Sequence, residues 1–104
     1  MNVSPDVARY LELTREALPE KARDPGLRWP VVNDHCFQRI VLDAVCGGVW
    51  YNSIERPAYR HLSEAQARQA VALCEDILAG RADLWDLNNQ SLAWRGKRQR
   101  VAPR

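Results

Sequence analysis

Residues 63–80 read SEAQARQAVALCEDILAG, and no other stretch of the chain declares its structure so plainly. Ser63 and Gln66 stand three apart. At that spacing a serine accepts the N–H of the third helical residue, and the glutamine reaches back to the serine's own N–H. Behind this capping box, Ala67, Ala70, Val71, Cys74, Ile77 and Leu78 recur at threes and fours. A helix turning about 100° per residue gathers them onto one face. Gly80 closes the segment, because glycine takes the left-handed backbone past a helix end without strain. One apolar helix face needs others to cover it.

Working outward, Asp83 caps a last helix with Leu84, Leu87, Ser91 and Trp94 down one side and Trp85 and Leu92 nearby, ended by Gly96. Upstream, Pro57 breaks the chain and Ala58-Tyr59-Arg60-His61 reads as a tight connection. Val49 to Ile54 reads as one or two helical turns. Asn33 or Asp34 opens a helix that the Gly47-Gly48 pair ends. Phe37, Ile40, Val41 and Ala44 centre its apolar face, and Leu42 falls on the polar side, so this helix should be covered on more than one flank. Ser4-Pro5-Asp6 starts the first helix: a side-chain cap, a proline where no N–H is needed, and an acid near the positive dipole end. Val7, Tyr10, Leu11 and Leu18 form its face, with Thr14 filling one turn, and Pro19 is expected to stop it. Residues 19–32 hold Pro19, Pro25, Gly26 and Pro30 and read as a loop, which Leu27, Trp29, Val31 and Val32 should pack back onto the body.

No run joins β-branched residues with strict alternation, and no repeat of about 20 to 50 residues recurs. The predicted fold is all-α: a compact single-domain bundle of four main helices plus one short helix over residues 1–96, followed by a basic flexible tail over 97–104. One domain suits 104 residues, a length that buries about 65% of the unfolded surface and supports one modest core without disulfides or metal. Hydrophobic residues at 46% and charged residues at 27% exclude a disordered composition. The absence of a long apolar run or a signal-like start predicts a cytoplasmic protein with no membrane span. Cys36, Cys46 and Cys74 are odd in number and show no C-x-x-C spacing. They read as small buried hydrophobes, with no metal or cofactor expected. The net charge of +2 conceals an asymmetry, since Lys97, Arg98, Arg100 and Arg104 crowd the last eight residues and leave a slightly acidic body. Such a tail can touch a polyanion.

Two constellations carry chemistry. His35, Arg39 and Asp43 follow one another at i, i+4, i+8 along one helix edge. His35 sits in the first turn, where free N–H groups favour an anion and disfavour a charged imidazole; Asn33 can cap the helix or contact a ligand. Tyr59, Arg60 and His61 combine an aromatic ring with two cationic side chains just before a capped helix, again suited to an anion. Polar surface stripes account for both unless the two clusters meet. Four tryptophans are many for this length, and Trp50-Tyr51-Asn52 is where an exposed stacking or partner-binding aromatic is expected. A helix-turn-helix with Gly47 or Gly48 as its turn fits poorly, since Pro57 would fall within the recognition helix. Cys36 and His35, as neighbours, point about 100° apart and make no nucleophile–base pair.

NDHCFQRIVLD at 33–43 and WYNSIERPAYRHLSEAQ at 50–66 resemble a group of small bacterial proteins often catalogued under GNAT-type acetyltransferase names. The resemblance spans about residues 29–96 and implies that Asn33, His35, Cys36, Arg39, Asp43, Pro57, Tyr59 and Arg60 belong to a shared pattern. The R/Q-x-x-G-x-G/A loop that cradles acetyl-CoA in GNAT enzymes does not occur here, so the reaction is not carried over. Three functions follow as expectations. The first is a helical binding or accessory protein that recognises a protein partner or an anionic small molecule through Asn33, Arg39, Tyr59, Arg60 and His61. The second is an acyl-transfer or other acid/base enzyme with His35 and Asp43 as catalytic groups. The third is a nucleic-acid-associated protein acting through the tail.

Overall fold

In the computed structural model, which describes residues 3–103, every regular element among the described residues is helical and no strand forms. The elements are α1 (Pro5–Glu12), a π-helical turn (Leu13–Ala17), α2 (Leu18–Lys21), a 3-10 turn (Pro25–Leu27), α3 (Asp34–Cys46), a 3-10 turn (Trp50–Asn52), α4 (Ala58–His61), α5 (Glu64–Leu78) and α6 (Leu84–Trp94). A radius of gyration of 13.2 Å is that of a single compact domain of about 100 residues. No helix among them is long and apolar enough to cross a membrane.

The caps form where the side chains allow. Ser4 Oγ accepts the Val7 N–H at 3.2 Å, and Asn33 Oδ1 accepts that of Cys36 at 3.1 Å. Ser63 and Gln66 close both halves of their box at 3.1 and 2.9 Å, and Asp83 takes the N–H groups of Trp85 and Asp86. Each such cap is worth about 1 kcal/mol. Gly47, at φ 68°, ends α3 in the left-handed region.

Pro19 does not stop the first helix. The helix widens beforehand: over Leu13–Ala17 the ring closes five residues back, with the Leu18 N–H donating to the Leu13 carbonyl. Proline offers no N–H and clashes with the carbonyl four residues behind it; a π turn loosens that stretch and lets the helix run on to Lys21. The loop therefore begins at Ala22 rather than at Pro19. Within it Val31 is buried and Trp29 meets Phe37 edge-on at 5.8 Å, but Val32 is 61% exposed and does not pack back. Ala58–His61, expected as a tight connection, makes one turn of helix.

Helix α3 is central, packed on α5, α6 and the π turn. Phe37, Ile40 and Val41 lose all their accessible surface against Leu13, Leu18, Ala70, Cys74 and Ile77. Fully burying each large apolar side chain contributes about 1.5–3 kcal/mol. Leu42 and Asp43 are buried too, so the helix is covered on its polar flank by α6. The buried stripe of α6 is Leu84, Asn88 and Ser91. The apolar face expected from Leu87 and Trp94 is displaced: Leu87 is half-buried and Trp94 is 37% exposed. Polar groups on α3 draw the polar stripe of α6 inward.

Candidate functional site

The polar residues of α3 reach three environments. Asn33 caps the helix on the surface. The His35 side chain is 88% exposed, 3.8 Å from the Asp34 carboxylate. Arg39 and Asp43 turn inward.

Asp43 is fully buried and accepts four hydrogen bonds. Arg95 donates twice, from Nε at 2.8 Å and Nη2 at 3.1 Å. The Ser91 hydroxyl donates at 2.6 Å and the Trp50 backbone N–H at 2.9 Å. A buried carboxylate survives only when its lone pairs are met in this way. The pairing in turn raises the Arg95 pKa above its ordinary value, chiefly through its hydrogen bonds to Asp43, and burial together with the Asp43 charge pushes the Cys46 thiol up. Arg39 and Asp43 do not pair directly. Ser91 stands between them, accepting from Arg39 Nη1 at 2.7 Å, while Arg39 Nη2 donates to Asn88 Oδ1 at 2.8 Å. Arg39 is thus held by neutral oxygens and has no direct carboxylate partner among the described residues.

The Arg39 charge faces an open cavity of about 530 Å³ bordered by the first helix, α3, the Trp50 turn and the segment leading into α4, a volume typical of small-molecule sites. Its wall carries Arg15 from the π turn, Arg39 from α3, Arg56 from the loop and Arg95 beyond α6. Among the described residues no aspartate or glutamate lines it. Among the described residues only Arg95 of these four pairs with a carboxylate. Tyr10, Trp50, Tyr51 and Tyr59 supply aromatic wall. Arg56 lies 4.6 Å from the Tyr51 ring centre and 5.8 Å from Trp50; Arg15 lies 5.9 Å from Tyr59. Such cation–π contacts draw a guanidinium to the ring without using its N–H groups. π turns recur at functional sites, and here the π turn presents Arg15.

No protein-family model matches this chain, and neither curated proteins nor solved structures show a significant similarity to it. The chemistry of the cavity stands on its own.

His35, Arg39 and Tyr59 do meet around one space. Arg60 and His61 are not part of its wall: Arg60 is exposed over the Tyr59 ring at 5.7 Å, and His61 lies 3.9 Å from Glu55. Asp43 stands behind the wall as an anchor for Arg95. Tyr51, in the turn singled out for an exposed aromatic, is 44% exposed at the cavity. Arg15, Arg56 and Arg95 escape a sequence reading, since each is an ordinary surface-type residue in a different segment. The one available signal is the helical spacing Asn88, Ser91, Arg95, a polar stripe in phase with Leu84. Among the described residues no cluster of three or more His, Cys, Asp or Glu is placed to hold a metal.

Of the expected tail, Arg100 is tied down. Its N–H and carbonyl bond the Asn89 side chain at 2.8 and 2.7 Å, its Nη1 donates to the Pro30 carbonyl at 2.6 Å, and its guanidinium lies 5.7 Å from the Trp85 ring centre. Arg104 falls outside the described residues.

Proposed function

We propose that this chain is a small binding protein that captures an anionic small molecule in the arginine-walled cavity. The observation that carries the reading is the set of Arg15, Arg39 and Arg56, three guanidiniums without a carboxylate partner among the described residues, around one space lined by no acid. Like charges gathered this way raise the local potential by several kT and repel one another until an anion enters. The aromatic rings between them offer apolar contact to the rest of the ligand.

An acid/base or acyl-transfer enzyme built on His35 and Asp43 is less favoured. Asp43 already accepts four hydrogen bonds, and His35, although it lines the cavity, is 88% exposed beside the Asp34 carboxylate. Nucleic-acid association through the tail is less favoured too, because Arg100 is committed to Asn89 and Pro30. Calorimetric titration at low salt with a panel of carboxylates and phosphates tests the proposal. Binding should weaken by about tenfold or more in Arg15→Gln and Arg56→Gln and should fall with added salt. Failure of the wild-type chain to bind any anion ends it.

A further inference from the structure

We infer that the anionic group this cavity takes is a phosphate monoester; the inference rests on the anion-binding reading above and narrows it to one chemistry. The four guanidiniums divide into two kinds. Arg39 and Arg95 have their forks engaged by protein, with Ser91 and Asn88 for the first and Asp43 for the second. Arg15 and Arg56 make no hydrogen bond among the described residues and are laid instead against the rings of Tyr59, Tyr51 and Trp50. A guanidinium drawn to a ring, with no hydrogen bond of its own among the described residues, keeps its N–H groups open. Two such open groups suit a ligand with several terminal oxygens, and Arg39 behind them adds field, whereas Asp43 meets the charge of Arg95.

Tyr10 gives an independent pointer. Its side chain is only 2% exposed, and its hydroxyl makes no hydrogen bond among the described residues. Tyr10 lines the cavity, and its hydroxyl feels both Arg15 on the wall and the Cys74 thiol of the core. Burial drives its pKa far above the ordinary phenol value, so it stays a donor for an incoming oxygen.

Charge decides between anions. Four arginines against the single carboxylate of Asp43 leave three positive charges at the wall. A carboxylate or a phosphodiester brings one negative charge and leaves most of that field unmet. A phosphate monoester brings about 1.5 to 2 negative charges near neutral pH with three acceptor oxygens.

Three probes on one ring separate these cases: phenyl phosphate, methyl phenyl phosphate and benzoate, each titrated at low salt into the isotope-labelled full chain and followed by amide chemical shifts. Phenyl phosphate should bind about tenfold or more tightly than either singly charged probe, with shifts clustered around Arg15, Tyr51 and Arg56. Arg15→Gln and Arg56→Gln, both at exposed positions, should each remove most of that preference while their spectra remain those of the folded chain. Tyr10→Phe should weaken phenyl phosphate more than benzoate. Benzoate binding as tightly as phenyl phosphate overturns the monoester and leaves an anion cavity standing. Methyl phenyl phosphate binding as tightly overturns it in favour of a nucleic-acid backbone. No binding of any of the three removes the anion reading and this inference together.

Discussion

The two flanks of α3 bury similar lengths of helix by opposite means. Toward α5 and the π turn, Phe37, Ile40 and Val41 meet Leu13, Ala70, Cys74 and Ile77 in a buried apolar contact. Toward α6, Arg39 and Asp43 meet Asn88, Ser91 and Arg95 through hydrogen bonds of 2.6 to 3.1 Å. The apolar flank tolerates any well-shaped hydrophobic substitute and says little about function. The polar flank is a connected set in which each member depends on the next, and its outer surface is the cavity wall. Hydrophobic burial on one side makes the helix a fixed mount; directional bonding on the other aims the charges it carries.

The sharpest way to break this contrast is to remove one partner on each flank. Phe37→Ala should cost about 3–5 kcal/mol through loss of burial and the void left behind. Asp43→Asn should cost about as much, 3–5 kcal/mol, because it strands Arg95 without its counter-charge. Urea denaturation measures both. A loss below about 1 kcal/mol at Asp43 would mean that the network behaves as an ordinary surface ion pair. Only on the polar flank should a paired replacement, Asp43→Leu with Arg95→Met, recover much of the loss, while ligand affinity stays impaired.

Ser91→Ala comes next, at about 1–3 kcal/mol, since one hydroxyl serves both Arg39 and Asp43. The same measurement shows whether Arg39 then swings to Asp43, in which case the cost falls to the lower end. The apolar flank has its own signature in alkaline solution. Burial pushes the Cys74 thiol from 9.0 up to about 12, so the fold favours the neutral form. That contribution is complete below the ordinary thiol value and drains away as pH rises through the folded one. Stability should decline between those values, and Cys74→Ala should flatten part of the slope; a parallel decline in the variant would assign the effect to Tyr10 and other groups. The smallest effect belongs to the tail. Asn89→Ala should cost no more than about 1 kcal/mol and should speed hydrogen exchange at the Arg100 amide.

Local signals account for what the sequence discloses. The Ser63–Gln66 capping box, the Gly47 end and the three-and-four spacing of α5 depend on neighbours along the chain, and they appear where expected. Pro19 misleads because its accommodation depends on a widening of the preceding turn, which no residue type announces. Helix α6 misleads for a physical reason of another kind. Leu87 and Trp94 look like core and Asn88 looks like surface until Asp43 and Arg39 are known to lie opposite. The site was half visible: His35, Arg39 and Tyr59 share its space, whereas Arg15, Arg56 and Arg95 arrive from segments whose convergence is a tertiary fact.

The π turn at Leu13–Ala17 has a consequence for how this chain can change length. A helix with one wider ring holds, in effect, a residue more than a regular helix spanning the same packed surface. Deleting a single residue there would restore regular winding and leave the helix on either side in phase with what it packs against, but it would bring the Pro19 ring against the carbonyl behind it. Tyr10 would keep its place in the cavity wall, while the wide turn that presents Arg15 would be lost. A deletion elsewhere in the first helix has no spare residue to draw on and would turn everything upstream by about 100°.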